Sequence, residues 1–311
     1  MCKRINIFFP CYMVFYIVAS IMLGMFMGVT GVTLPTWAQY FVSEAVLLTP
    51  PLIYILIFKI NVIKCLPIRK LRISDALLSL LTGYLLIPLV LFINRLSMLF
   101  VTNYLNESQS EIAAYPYLFQ LFLMAVMPPL VEEFVFRGIF YHSYRRNGIL
   151  GAALMSGLIF GTVHMNINQF CYAIVMGVVF ALMVEATGSL WSSVLAHFAI
   201  NSFSITVSKL VELYGGSGAA DTARQSVETQ SIAITIYQLV ILGIFAALFT
   251  TLAFLLYRTI AIRNNRWGFI VTNVKKGLRA QNGEHFITIP AAAIFVAAFA
   301  VMIFMEFAQR L

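Results

Sequence analysis

Apolar stretches long enough to cross a membrane follow one another along the whole chain. A spanning helix needs about 20 mostly apolar residues. About nine such stretches are present, at 8–30, 40–60, 76–100, 115–141, 149–167, 169–186, 189–209, 232–257 and 287–306. The fifth and sixth are short and closely joined, so the count is eight or nine. The pattern predicts an all-α fold, a polytopic transmembrane helical bundle.

The composition supports a membrane protein. Hydrophobic residues make up 61% of the 311 residues and charged residues only 10%, whereas soluble domains carry roughly 25% charged residues. The one long polar segment, 214–230, is rich in Gly and Ser and is expected to be a flexible loop. Because no linker or low-complexity tract divides the chain, we interpret residues 1–311 as a single membrane domain.

The net charge of +8 is distributed in a way that indicates membrane orientation. Of the 20 Lys and Arg residues, 15 fall in alternate connections between spans. These are Lys3 and Arg4, residues 59–72, Arg145 and Arg146, and residues 258–279. The positive-inside rule then places the N-terminus in the cytoplasm. The basic connections are expected to bind the headgroups of the lipid bilayer and not nucleic acid. In a bacterium, the protein would lie in the plasma membrane.

Full charges interrupt the fourth span in the stretch VEEFVFRGIF, residues 131–140. A charge in the hydrocarbon region costs roughly 2.5–3.5 kcal/mol, so such residues are candidates for function. Glu133 and Arg137 are four residues apart and can pair on one helix face. Glu132 is turned about 100° away and has no partner nearby in sequence. The alternative is a buried ion pair that only locks helices together.

Histidines lie inside two other spans. His164 ends the stretch FGTVH, and His197 is followed four residues later by Asn201 on the same helix face. An isolated histidine is more often a satisfied core residue, but an imidazole beside an amide is suited to holding a carbonyl oxygen. Gly157 and Gly161 form a GxxxG pattern that lets a neighbouring helix approach closely.

These polar residues are predicted to lie at similar depths in the membrane. At 1.5 Å per residue, Glu132 lies roughly 20 Å from the cytoplasmic end of its helix, His164 roughly 22 Å and Asn201 roughly 18 Å. His197 lies at roughly 12 Å. Because three separate spans bring polar groups to nearly one level, the sequence predicts a polar cavity inside the bundle.

The residue types in this cavity are those that activate water. A carboxylate such as Glu132 can take a proton from water, and His164 can orient or share that proton. His197 and Asn201 can donate hydrogen bonds to the oxyanion of a scissile amide. In a metal-dependent version, His164 and His197 would bind Zn²⁺ with a carboxylate as third ligand or base. The sequence leaves the cofactor open between a zinc ion and none.

Three short motifs in order resemble the CPBP family, which comprises the type II CAAX prenyl endopeptidases and bacteriocin-processing enzymes. The motifs are EExxxR from Glu132 to Arg137, FxxxH from Phe160 to His164, and HxxxN from His197 to Asn201. The resemblance covers residues 115–205, the expected catalytic core. It implies an intramembrane endopeptidase with a helical fold around a cavity.

The resemblance also implies roles for the motif residues. The implied catalytic residues are Glu132, Glu133, Arg137, His164, His197 and Asn201. The first glutamate and the histidine of the second motif would activate water, the third motif would supply oxyanion donors, and the Glu133–Arg137 pair would support the site. The implied substrate is a membrane-associated peptide or protein, either lipidated or amphipathic.

Two other functions compete with a peptidase. A protein of the same fold can capture a peptide without cutting it, as a bacteriocin self-immunity protein would. Intramembrane charges also line the paths of transporters and channels. Against a transporter, the charges cluster on one helix beside catalytic-type partners, and no pair of broken helices in matching halves is evident.

Overall fold

The chain folds into a bundle of helices. A computed structural model describes residues 2–101, 111–216, 218–228, 230–278 and 285–308, and these ranges contain helices and no strand. The helices are α1 Cys2–Thr30, α2 Thr36–Ile57, α3 Val62–Cys65, α4 Ile73–Leu85, α5 Ile87–Ser97, α6 Tyr117–Asn147, α7 Ile149–Val163, α8 Ile167–Thr187, α9 Leu190–Gly215, α10 Ala219–Glu228, α11 Ile232–Arg263, α12 Trp267–Lys275 and α13 Ile289–Ala308.

The predicted fold class is confirmed. Among the described residues, eight helical segments are long and apolar enough to cross a membrane, with α4 and α5 counted together as one. The remaining apolar helix, α7, has 15 residues and is shorter than a full span. It corresponds to the fifth predicted stretch, 149–167, which explains why the sequence indicated eight or nine spans.

The structure differs from the sequence prediction in two places. The third span is broken at Leu86, because Pro88 at the start of α5 cannot donate a helical hydrogen bond. The segment 214–230 was expected to be a flexible loop, and that prediction was wrong, since it contains the helix α10. Its residues include several alanines together with Arg, Gln and Glu, all strong helix formers that offset the neighbouring glycines.

The outer face of the bundle is apolar and its interior carries polar groups. Large hydrophobic side chains such as Ile7, Met25 and Val296 are well exposed. In a soluble protein this surface would aggregate, whereas in a bilayer it faces lipid chains. Buried side chains include Ser79, Ser156 and many other polar residues. The protein is therefore an integral membrane protein.

Glycines bring α7 and α8 into close contact. A Cβ atom on Gly157 would lie 2.7 Å from the carbonyl oxygen of Ile174, and one on Gly161 would lie 2.7 Å from the Ile174 side chain. Gly177 faces Gly157 from α8, where an added Cβ would approach the Gly157 Cα to 2.5 Å. The close approach predicted from the GxxxG pattern is confirmed.

A second close contact positions α9. A Cβ atom on Gly83 of α4 would lie 2.3 Å from the carbonyl oxygen of Ala196 and 2.7 Å from the Ala199 side chain. Only a glycine lets the two backbones meet at this distance. The contact lies beside His197, so it sets how far the candidate histidine projects into the bundle.

A network centred on Glu185 ties three parts of the chain together at one end of the bundle. The Glu185 carboxylate accepts hydrogen bonds from Tyr141 Oη at 2.9 Å, Arg145 Nη2 at 2.9 Å and Arg266 Nη2 at 2.9 Å. Arg145 and Arg266 also donate through their Nε atoms to Glu185. These contacts join α6, α8 and the connection between α11 and α12.

Other basic connections lie at the same end. The Arg4 guanidinium lies 4.9 Å from the centre of the Phe58 ring, and Ser189 Oγ donates to the Arg69 carbonyl oxygen at 2.6 Å. The alternate connections that carry most of the positive charge therefore gather on one side of the bundle.

The contact between α7 and α8 predicts the effect of a single added methyl group. We expect Gly177→Ala to lower the free energy of unfolding by about 1–3 kcal/mol, because the new Cβ must push the helices apart. Gly24→Ala is the matched control, since nothing lies within 4 Å of its added Cβ. Thermal unfolding of both variants in detergent measures the difference, and equal midpoints would contradict the close contact.

Candidate functional site

Helix α6 carries the charged motif and does not wind regularly. Two stretches of wider, π-helical turns, Phe122–Val126 and Phe134–Tyr141, flank a regular segment, Met127–Glu133. Such wide turns are frequent at functional sites because they rotate side chains out of helical register. They place Glu132 and Glu133 at the junction between regular and wide turns.

Two consecutive prolines in α6 free a backbone carbonyl. Pro128 and Pro129 have no N–H, so the Met124 carbonyl oxygen lacks its usual donors from one turn later. Asn201 Nδ2 on α9 donates to this oxygen at 3.0 Å. The amide therefore holds α6 to α9, and its second N–H remains available because an amide nitrogen carries two donors.

Glu133, the second glutamate of the motif, forms a buried ion pair with Arg137. Arg137 Nη1 and Glu133 Oε1 are 2.8 Å apart, and both side chains are fully buried. The same Glu133 oxygen accepts a hydrogen bond from His197 Nδ1 at 3.0 Å. The pairing of Glu133 with Arg137 that the sequence predicts is confirmed, and α9 is joined to it through His197.

Aromatic rings enclose the Arg137 guanidinium. Its central carbon lies 4.5 Å from the centre of the Phe160 ring, 5.1 Å from that of Phe180 and 6.0 Å from that of Phe136. A Cβ on Gly177 would lie 3.3 Å from Arg137 Nη2, so the glycine contact also makes room for the arginine. Because three helices supply these neighbours, the cation is held by cation–π contacts as well as by its carboxylate.

His197 stands between the two motif glutamates. Its Nδ1 atom is bonded to Glu133, and its Nε2 atom lies 3.6 Å from Glu132 Oε2. The ring stacks on Phe180 with 4.8 Å between ring centres. The hydrogen bond to Glu133 and the stacking on Phe180 therefore fix the orientation of the His197 ring. In this orientation, Nε2 is directed toward Glu132.

His164 is oriented by the end of its own helix. Its Nδ1 atom lies 2.8 Å from the Phe160 carbonyl oxygen, which can only accept a hydrogen bond, so Nδ1 carries the proton. Neutral His164 therefore has an unprotonated Nε2 that can accept a proton. Phe160 also packs edge-on against the His164 ring, with 4.8 Å between ring centres.

A cavity of about 490 Å³ brings the candidate residues together. Its wall includes Glu132, His164, His197 and Asn201, contributed by α6, α9 and the end of α7. Glu133 and Arg137 do not line it and lie behind its wall. The arrangement presents a carboxylate, two imidazoles and an amide to one cavity.

The cavity also contains a carboxylate that the sequence analysis missed. Glu44 of α2 lines the cavity and is 8% exposed. The predicted second span began at residue 40, which placed Glu44 near the membrane surface. Because α2 begins at Thr36, Glu44 lies two turns inside the helix. The sequence did offer one signal for this residue, because Glu44 is a charged residue in an otherwise apolar stretch.

The donor set does not form a ready zinc site. In the described ranges, no group of three or more His, Cys, Asp or Glu side chains converges on a point where a metal ion could bind. Both histidines considered as ligands use Nδ1 for a hydrogen bond, His197 to Glu133 and His164 to the Phe160 carbonyl. Each would therefore offer Nε2 to a metal ion, as zinc-binding histidines commonly do, but no third ligand converges with them in the described ranges. The chemistry that we propose relies on water and side chains alone.

Comparisons with known proteins match the segment that carries the motifs. Residues 114–203 match the family model described as "Type II CAAX prenyl endopeptidase Rce1-like". The chain is 30% identical over 84 residues to a Bacillus subtilis (strain 168) protein described as "Putative membrane peptidase YdiL". That match covers 27% of this chain and 34% of the relative, so the chain aligns with about a third of the relative's length. No solved structure matches significantly.

The buried ion pair predicts a double-mutant test. Arg137→Met leaves Glu133 charged and buried without its cation, so we expect the free energy of unfolding in detergent to fall by about 3–5 kcal/mol. Adding Glu133→Gln should recover part of that loss, since no uncompensated charge remains. Lys209→Met is the control, because Lys209 is 43% exposed and lies 3.7 Å from Glu212, so it should change stability by at most about 1 kcal/mol. A double mutant no more stable than Arg137→Met would contradict the pairing.

Proposed function

We propose that this protein is an intramembrane endopeptidase. Its residues 114–203 match the family model of the type II CAAX prenyl endopeptidases, which the sequence motifs also resemble. The observation that carries the proposal is the convergence of Glu132, His164, His197 and Asn201 on one cavity. These four polar side chains come from separate parts of the chain and still share one cavity wall. The function is hydrolysis of a peptide bond in a membrane-associated peptide or protein.

Water activation is the first step. Glu132 takes a proton from a water molecule, and the hydroxide attacks the carbonyl carbon of the peptide bond. His164 assists through Nε2, which accepts a hydrogen bond from the same water and orients it. Glu132 and His164 both lie in the cavity wall. Arg137 pairs with Glu133, so neither of the two is bound to it.

Charge on the carbonyl oxygen is stabilised by donors from α9. Asn201 offers its second amide hydrogen, since the first is used on the Met124 carbonyl. In its protonated form, His197 would offer Nε2–H, and the Glu133 carboxylate on Nδ1 would compensate its positive charge. These donors are held in place before the reaction, which is what makes such stabilisation effective.

Collapse of the tetrahedral intermediate completes the reaction. Glu132 returns its proton to the nitrogen of the leaving amine, the carbon–nitrogen bond breaks, and a carboxylic acid and an amine are released. Glu133 and Arg137 take no part in bond breaking and instead hold His197. We assign the catalytic core to residues 115–205 within a single membrane domain of residues 1–311.

The substrate class follows from the cavity and from the related family. The cavity lies among membrane-crossing helices, and its wall contains apolar side chains from Leu47, Val163 and Met176 beside the polar groups. An amphipathic or lipidated peptide fits such a wall better than a soluble peptide does. The matched family is described as a prenyl endopeptidase, which favours a lipid-linked or membrane-partitioning substrate here.

We also propose an orientation, with the N-terminus and the basic end of the bundle in the cytoplasm, and a bacterial plasma-membrane location if the source is bacterial. With its four native cysteines replaced by serine, a Tyr214→Cys variant in intact cells should react with an impermeant maleimide. An Arg146→Cys variant should react only after the cells are permeabilised. Both positions are exposed, and they lie at opposite ends of the proposed topology. The reverse labelling pattern would overturn the orientation.

The peptidase proposal predicts missing products in a mutant host. Membrane peptides from cells with wild-type protein and with Glu132→Gln are compared by mass spectrometry at equal protein levels. We expect some peptides to fall by at least about 100-fold in the mutant, which is the scale of losing a general base.

Glu212→Gln is the matched control, because it removes one carboxylate that does not line the cavity and that pairs with Lys209. Its peptide profile should equal that of the wild type. Identical profiles for all three proteins would contradict hydrolysis that depends on Glu132.

A further inference from the structure

Glu44 is a buried carboxylate for which the proposed reaction has no use. Its side chain lines the cavity, it is 8% exposed, and its Oε2 atom is fully enclosed, with no hydrogen-bond partner among the residues that the structure describes. A buried charged group with no partner is strongly destabilising. A group of this kind is expected where something outside the protein completes it.

The cavity has an excess of negative groups. Glu44 and Glu132 both line this cavity, so two carboxyl groups share one space. No Lys or Arg side chain from the described residues lines the cavity, and Arg137 lies behind the wall in its pair with Glu133. A cavity with two carboxylates and no Lys or Arg in its described wall attracts a positive charge.

Aromatic rings surround the same space. Tyr16, Tyr40, Tyr172 and Phe136 line the cavity with Glu44. Aromatic faces attract ammonium and guanidinium groups, more strongly where water is excluded. A carboxylate that shares a cavity with such rings has the chemistry of a site for an organic cation. A purely apolar peptide segment would leave the Glu44 carboxylate unpaired.

We infer that Glu44 forms a subsite for a basic side chain of the peptide substrate, a lysine or an arginine. The inference rests on the proposed function, because the peptide that places its basic side chain here is the one presented to Glu132. The ammonium or guanidinium would pair with the Glu44 carboxylate where it lines the cavity and lie against the tyrosines. Glu44 is thus a specificity-determining residue and takes no part in bond breaking.

Cleavage of paired peptides tests this inference. Wild type, Glu44→Gln and Glu212→Gln proteins in lipid nanodiscs receive a randomised library of membrane-partitioning peptides, and the cleaved products are identified by mass spectrometry. We expect the wild type and Glu212→Gln to favour Lys or Arg at one fixed distance from the cleaved bond. In Glu44→Gln this preference should fall by at least about 30-fold, the low end for a buried charge pair that loses one partner.

Peptides without a basic residue separate this inference from the proposed function. For these peptides, Glu44→Gln should lose less cleavage relative to the wild type than it does for peptides with a Lys or an Arg. Continued cleavage with an unchanged Lys or Arg preference would overturn the subsite and leave the peptidase intact. A wild-type enzyme that cuts without any basic preference would overturn it equally.

A binding measurement covers the case in which no peptide is cut. In the Glu132→Gln background, with and without Glu44→Gln, we compare binding of a peptide with a central lysine and of its norleucine twin. The lysine peptide should bind more tightly only when Glu44 is present. Equal discrimination with and without Glu44 would overturn the subsite.

Discussion

The buried pair of Glu133 and Arg137 is the interaction on which the rest of the site depends. Both side chains are fully buried, 2.8 Å apart, in a helix that crosses the membrane. Either charge alone would be strongly destabilising there, so the two groups require each other. The pair leaves Glu133 with capacity to accept from His197 as well. One ion pair thus connects α6 to α9 and sets the orientation of a candidate catalytic ring.

Helices α7 and α8 pack around Arg137 and make room for its pair with Glu133. Gly157 and Gly177 let α7 and α8 approach closely, and Gly177 leaves room for the guanidinium. Phe160 and Phe180 contribute rings from the same two helices. The irregular winding of α6 also connects the helices. Its two prolines leave the Met124 carbonyl oxygen without a helical donor, and Asn201 of α9 donates a hydrogen bond to that oxygen. Backbone irregularity inside a membrane requires such compensation.

Much of this structure could be predicted because the signals are local. Long apolar stretches indicate spans wherever they occur, and a spacing of four residues predicted the pairing of Glu133 with Arg137. The orientation of His197 between two carboxylates could not be predicted, because it depends on the rotation of α9 relative to α6. Glu44 was missed because its depth depends on where α2 begins. The helix Ala219–Glu228 was missed because its glycine-rich flank suggested a loop.

Hydrolysis and peptide capture make different demands on Glu132. Capture needs only a cavity with complementary charge, whereas hydrolysis needs a carboxylate that exchanges protons with water. Our proposal assigns the second demand to Glu132, which lies in the cavity wall and 3.6 Å from His197 Nε2. In the proposed mechanism, the peptide carbonyl oxygen takes the place of Glu132 beside His197 Nε2, while the contact of Nδ1 with Glu133 keeps the ring oriented.

The most direct test uses purified protein in lipid nanodiscs and a peptide identified as a product precursor in cells. Cleavage rate and binding affinity are measured for the wild type and for Glu132→Gln. The account predicts that Glu132→Gln loses cleavage by at least about 100-fold and still binds the uncut peptide with nearly unchanged affinity. Cleavage that continues in Glu132→Gln, or a wild-type protein that binds the peptide and never cuts it, would contradict the account.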